Sequence, residues 1–197
     1  MNIPVIYEDN YLLVADKPSG LLTVPTPKNE KRTLTSILGF YPCHRLDRET
    51  SGLIIYAKDK LTQQRMADSF RQRQIKKSYV VLIDGIPHKE EGVIKNRIEN
   101  LFAETRYKVV EKRMGFAVVK AMPLTGRTNQ IRIHFKHIGH PVLGEDKYAF
   151  RRDFKIKAKR LMLHAKSLEF KHPVTCKILR LESSLPQDMT SFLDSHV

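Results

Sequence analysis

One run constrains this chain more than any other: His44-Arg45-Leu46-Asp47-Arg48-Glu49-Thr50-Ser51-Gly52-Leu53. A carboxylate, Asp47, lies between two arginines. A Thr-Ser-Gly turn follows, and then an apolar run from Leu53 to Tyr56. A solvated charge cluster rarely ends in a tight turn and a buried strand, so the run holds an ionised group in a fixed place. Nearby cations lower a carboxylate's pKa and keep it charged at neutral pH. Such a group serves as nucleophile, general base or electrostatic stabiliser, or it braces the arginines as a salt-bridge partner.

Around this run the chain reads as α+β, with hairpins and few βαβ crossovers. Val5–Tyr7 and Tyr11–Ala15, separated by Glu-Asp-Asn, predict a hairpin. Leu53–Tyr56 predicts a buried strand, and Asp59 caps a helix reaching about Arg73. A strand over Ser78–Ile83 is expected to stop at Asp84-Gly85. Thr105–Glu111 and Phe116–Ala121 predict a second hairpin around Met114-Gly115. Thr33–Leu38 and Met189–Leu193 read as short helices, and Leu161–Phe170 as a strand. Asn129–Ile138 fits either period, but Gly139 with Pro141 beyond it tips the choice to helix. The 197 residues show no repeat and no convincing linker. The expectation is one domain, residues 1–197, with a mixed, mainly antiparallel central sheet flanked by helices and loops.

Charge narrows the partners. The net charge is +14, which attracts polyanions, nucleic acid foremost. No stretch approaches the ~20 apolar residues of a membrane span. Cys43 and Cys176 are too few for a disulfide framework and point to a reducing cytoplasm. Lys147, Arg151, Arg152, Lys155, Lys157, Lys159 and Arg160 form a basic segment interleaved with Tyr148, Phe150 and Phe154. It suits phosphates, with rings that either stack on bases or anchor the loop. Arg65, Arg71, Arg73, Lys76 and Lys77 form a second basic cluster.

Other constellations are weaker. Leu124-Thr125-Gly126-Arg127-Thr128-Asn129-Gln130-Ile131-Arg132 leads into the predicted helix, where backbone N–H groups take an anion or a structural cap. It lacks the glycines and lysine of a Walker loop. His134, His137 and His140 are spaced three apart but lack the glutamate of a zinc-protease helix. Cys43 beside His44 is a poor thiol nucleophile, because neighbours on a strand point apart. Asp16, Asp47 and Glu49 would be the carboxylates of a metal-dependent nuclease, without the compact set a two-metal site needs.

Several blocks together resemble one family. His-Arg-Leu-Asp-Arg-x-Thr-Ser-Gly at 44–52 is similar to the signature of the RluA-type pseudouridine synthases. Lys17-Pro18-Ser19-Gly20-Leu21, Lys77-Ser78-Tyr79, Leu124–Arg132, Gly139–Gly144 and Arg160–Ala165 resemble its other blocks, in order, from about Val5 to Leu185. RsuA-type enzymes, with Gly-Arg-Leu-Asp and a Glu in place of the Ser, fit worse.

The resemblance implies a pseudouridine-synthase catalytic domain with a basic cleft, isomerising uridine in structured ribosomal or transfer RNA. It implies neither cofactor nor metal. Asp47 would act at the ribose of a flipped-out uridine, Tyr79 would stack on the base, and Arg132 would hold Asp47 ionised. Arg45 would fill the vacated space. His44, Arg48, Lys77 and Arg127 would contact RNA, as would Arg151, Arg152, Lys155 and Lys157 of the basic segment. Asn129 stands where the family usually has His. The S4 RNA-binding domain of many relatives is not expected, and a monomer is the simplest state. The competing reading is a non-catalytic RNA-binding protein, for instance a ribosome-assembly factor.

Overall fold

The computed structural model describes residues 2–27, 30–149 and 154–196. The chain divides into two compact units, Met1–Lys77 with Ala165–Ser184, and Ser78–His164 with Leu185–Val197.

In the first unit, β1 (Val5–Glu8) and β2 (Leu12–Lys17) form the expected antiparallel hairpin. Asp9 closes it, its Oδ1 accepting the N–H groups of Tyr11 and Leu12 at 2.8 and 2.7 Å. Helix α1 (Leu34–Leu38) is held by a reciprocal cap between Thr33 and Ser36. A two-residue strand, β3 (Tyr41–Pro42), pairs with β4 (Ser51–Ala57), and β4 also pairs antiparallel with β2. Every residue of β4 is buried, which is why its apolar run is continuous rather than alternating. Helix α2 (Lys60–Arg71) starts where Asp59 accepts the Thr62 N–H at 2.8 Å. Its one buried apolar residue, Met66, packs with Leu12, Val14, Leu53 and Ile55.

Gly52 in β4 has φ +113°, a region essentially reserved for glycine. A Cβ there would run into the backbone carbonyl of Ala165. The turn after Asp47 therefore passes closer to a neighbouring strand than any other residue allows.

The second unit carries β5 (Lys76–Asp84, which begins in the first), β6 (Glu91–Ile98), β7 (Leu101–Arg113) and β8 (Phe116–Pro123). They run antiparallel in the order β5-β8-β7-β6. One face packs on α3 (Gln130–His137), where Ile131 and Phe135 meet Val81, Ile83, Tyr107, Val119 and Ala121. Over part of the other face, Leu82, Phe116 and Val118 meet Leu143, Phe154, Met162 and, from α4 (Gln187–Asp194), Met189. The ambiguous 129–138 segment is thus a helix, because that period places Ile131 and Phe135 together on the sheet.

Strand β9 (Leu163–Lys171) covers the segment expected at Leu161–Phe170, and β10 (Ile178–Glu182) pairs with it antiparallel. Strands β6 and β10 have no counterpart in the sequence reading. In β6 only Ile94 and Ile98 are buried, and they alternate with Val93, Lys95 and Arg97 on an exposed face. Half-charged edge strands carry little apolar period, so their neighbours reveal them. The fold is α+β with a mostly antiparallel sheet, as expected. No helix among the described residues is long and apolar enough to cross a membrane.

Candidate active site

The Asp47 loop is pinned from behind. Lys17, wholly buried, donates from Nζ to the carbonyls of Pro18 (2.9 Å), Leu21 (2.7 Å) and Arg48 (3.1 Å). The Gly20 N–H also reaches the Arg48 carbonyl, at 2.8 Å, and Ser19 Oγ donates to that of Glu49 at 2.6 Å. Thr23 Oγ1 donates to the Leu46 carbonyl and accepts the Leu46 N–H, at 3.0 and 3.2 Å. The Thr50 N–H closes the turn onto the Asp47 carbonyl at 3.2 Å. The three bonds from the Lys17 ammonium are charge-assisted, strong and hard to replace. The Lys17–Leu21 block therefore serves as a cradle for the loop, and Asp47 rests half-buried on a fixed backbone. Arg45 and Arg48 are exposed beside it, with Arg48 Nε donating to the Gly20 carbonyl at 3.2 Å.

His44 Nε2 accepts the Ile55 N–H at 3.0 Å, and its ring lies 4.7 Å from that of Phe70. Burial, with the Lys77 charge adding to it, pushes the imidazole down to about 3, so at neutral pH it is uncharged. The folded value lies below the ordinary 6.5. Its contribution to stability is therefore complete above about pH 6.5 and is lost as the pH falls toward 3. We expect the melting temperature to drop between pH 7 and 5, and to drop less in His44→Gln; parallel curves for the two proteins would refute this. Lys77 is half-buried, its Nζ 5.8 Å from the Phe70 ring centre, and burial lowers its pKa. Burial also raises the Cys43 thiol to about 12, which removes it as a thiolate nucleophile.

In the second unit, Tyr79 is half-buried on β5, packed against the core over α3. The Thr125–Arg132 block is organised by Gln130. Its Oε1 accepts from Thr125 Oγ1 (2.6 Å) and the Arg127 N–H (3.0 Å). Its Nε2 donates to the Glu104 carbonyl and Thr105 Oγ1, both at 3.0 Å. The backbone donor at the helix start is thus turned inward onto a side chain. Arg127 Nε donates to the Phe102 carbonyl at 3.2 Å.

Arg132 is buried, and Glu145, which sequence reasoning missed, holds it. Arg132 Nε and Nη2 donate to the two Glu145 oxygens at 2.7 and 2.6 Å. Glu145 Oε1 also accepts the N–H groups of Asp146, Lys147 and Tyr148, at 3.1, 2.9 and 3.2 Å. Burial alone would raise this carboxyl, but the Arg132 hydrogen bond and the backbone donors outweigh it and hold it below the ordinary range. Asn129, with φ +53°, adopts the left-handed backbone that Asn tolerates. Its Oδ1 accepts from Arg132 Nη1 at 3.2 Å, and its Nδ2 donates to the Tyr148 hydroxyl at 2.8 Å. The Tyr148 ring lies 5.5 Å from the guanidinium. A faint signal for Glu145 existed: it directly follows the Gly139–Gly144 block. Gly144 has φ +78°, and a Cβ there would collide with the Arg160 carbonyl.

The remaining predicted residues separate. Lys155 and Lys157 are exposed, whereas Arg151 and Arg152 lie outside the described residues, as does Phe150. Phe154 belongs to the core, so it anchors its segment rather than stacking on bases. The three histidines also part: His134 is buried, His137 is exposed, and His140 Nδ1 bonds the Asp84 carbonyl at 2.8 Å.

The first unit thus offers a fixed carboxylate loop with flanking arginines, and the second a buried arginine locked by a carboxylate and an amide. The chain matches the RNA pseudouridylate synthase model over residues 11–137. It is 36% identical to the dual-specificity RNA pseudouridine synthase RluA of Yersinia pestis, over 86% of this chain and 92% of that protein. It is 32% identical to the ribosomal large subunit pseudouridine synthase C of the same organism, over 94% of this chain and 66% of that protein. In fold it is similar to human RNA Pseudouridylate Synthase Domain Containing 4, with a TM-score of 0.83 over 96% of this chain and 91% of that one, at 24% identity. The chain belongs to the RNA pseudouridylate synthase family, on the RluA-type branch that its motifs resemble. It is an isomerase, an RNA pseudouridine synthase, rather than a non-catalytic RNA-binding protein.

Proposed function

We propose that this enzyme converts specific uridines to pseudouridine in structured ribosomal or transfer RNA, with Asp47 acting at the ribose of a uridine turned out of its stack. The observation that carries the assignment of Asp47 is its cradle. One short segment, from Lys17 to Thr23, devotes a buried lysine, a serine and a threonine to holding one loop still. A salt-bridge partner has no need of such support, whereas a reacting group must be held to within a fraction of an ångström.

In the reaction the C1′–N1 bond breaks, the base rotates, and a C1′–C5 bond forms. The C5 proton then leaves, and N1 takes one up. Extruding the nucleotide costs a few kcal/mol, which Arg45 offsets by taking the vacated place as a planar cation. Tyr79 stacks on the target base. Arg132 supplies positive charge that keeps the reacting carboxylate ionised, while Glu145 and Asn129 aim its guanidinium. Arg48, His44, Lys77 and Arg127 contact the RNA near the target, and Arg151, Arg152, Lys155 and Lys157 do so farther out. The protein works as a cytoplasmic monomer, and the residues described need neither cofactor nor metal for these steps.

Loss of the C5 proton supplies the test. Ribosomal and transfer RNA carrying 5-tritiated uridine, made in cells lacking the protein, should release tritium on incubation with it, up to about one equivalent per target site. No release from either RNA would overturn the proposal.

A further inference from the structure

The sheet of the second unit has a face that neither α3 nor α4 covers at its β6–β7 end. Register places Val93, Lys95 and Arg97 of β6 opposite Arg106, Glu104 and Phe102 of β7. It places Arg106 and Lys108 opposite Met122 and Lys120 of β8. Directly opposed residues share a face. This end of the face carries five cations, Lys95, Arg97, Arg106, Lys108 and Lys120, against two carboxylates, Glu91 and Glu104, the latter 3.8 Å from Lys95; farther along β7 the face continues with Glu111 and Arg113, paired with each other. All five are exposed, and so are Phe102 (47%) and Val93 (49%).

We propose that this face is a further RNA-contact surface, taking backbone phosphates of the substrate at Arg97, Arg106 and Lys120 and one unpaired base on Phe102. The inference rests on RNA being the substrate. A solvated outer face of an antiparallel sheet is ordinarily polar, but of mixed sign. Charged residues on an edge strand guard it against pairing with another chain, which explains Lys95 and Arg97 of β6. That explanation fails for Arg106 and Lys120, which stand on the interior strands β7 and β8. There a cation protects no edge and repels its neighbours. Same-face residues lie about 7 Å apart along a strand and about 5 Å across strands, so the cations form a two-dimensional array rather than a line. An array of net positive charge around an exposed aromatic ring suits a polyanion with bases. The face also adjoins the Thr-Gly-Arg loop, because Arg127 Nε donates to the carbonyl of Phe102 itself.

The test compares two triple variants of the full chain. One is Arg97→Gln/Arg106→Gln/Lys120→Gln. The other, Lys60→Gln/Lys171→Gln/Lys177→Gln, removes equal charge from exposed positions elsewhere. The dissociation constant for unmodified transfer or ribosomal RNA is measured from 50 to 200 mM salt, beside single-turnover tritium release at saturating enzyme. For the first variant, the slope of log K against log salt should fall by about 2, at ~0.7–0.9 per phosphate contact. Its affinity at 50 mM salt should weaken at least about tenfold, with the single-turnover rate within about twofold of wild type. The second variant should keep the wild-type slope. Phe102→Ala alone should weaken binding by about fivefold or more, the low end for one lost base stack. An unchanged slope in the first variant, or equal losses in both, would overturn the proposal; unchanged RNA binding would leave the face to a protein partner. Failure of the catalytic reading would show separately, as absent tritium release by wild type, while the binding slopes still report on the face.

Discussion

Asp47→Asn is expected to abolish pseudouridine formation and to leave RNA affinity within about tenfold of wild type. The change keeps the shape of the side chain and removes its charge. The loop that carries it is held through its backbone carbonyls, which accept from Lys17, Ser19 and Thr23. The fold should therefore survive. A neutral amide can neither add to C1′ nor accept a proton with useful strength. The expected loss in single-turnover rate is at least about 10³-fold, on the order of 4 kcal/mol of transition-state stabilisation. Tritium release on saturated enzyme measures the chemical step, and filter binding measures affinity. Turnover within tenfold of wild type would remove Asp47 from the mechanism.

Glu145→Gln acts through Arg132. In the native protein both side chains are nearly inaccessible, at 4% and 0%, and their bond is bidentate. The substitution removes the bidentate carboxylate from a buried guanidinium, and the longer contact to Asp146, at 3.8 Å, does not replace it. Breaking such a pair from one side costs about 3 to 5 kcal/mol. At about 2 to 4 °C per kcal/mol for a chain of this size, the melting temperature should fall by roughly 6 to 20 °C. Activity at a temperature where the variant remains folded should also fall, because the arginine proposed to hold Asp47 charged loses its own anchor. Calorimetry and tritium release read the two effects separately. An unchanged melting temperature would show that the pair stabilises nothing.

The same bond predicts the acid limb of stability. The Glu145 carboxyl is held below the ordinary range. Its contribution is therefore complete above the ordinary glutamate pKa, and it is lost as the pH falls through the depressed value. A Glu145→Gln protein, already without that contribution, should show a shallower fall than wild type below about pH 4.5.

The motif run at 44–52 was legible because contiguous residues carry it: charge, turn and apolar strand follow one another along the chain. Strand β4, the cap Asp59 and the hairpin turn at Glu8-Asp9-Asn10 were legible for the same reason. Glu145 was not, since a single glutamate after a glycine has no local signature. Strands β6 and β10 were missed because edge strands bury too little to show a period. Phe154 stood in a basic stretch that looked like an aromatic stacking platform, and only its neighbours Leu143, Met162 and Met189 reveal it as core.

Sequence alone made legible what is local and chemical: the α+β class, the family motifs, the carboxylate proposed to react and a charge that attracts polyanions. Each depends on residue types at short spacing, which covalent connectivity keeps together. Tertiary structure alone decided what holds those residues. Lys17 stands 31 positions from the carbonyl of Arg48, and Glu145 stands 13 positions from Arg132. The Arg106–Lys120 face exists only through strand register. A buried charge must find its partner wherever packing brings one, and packing follows the whole chain rather than any window of it.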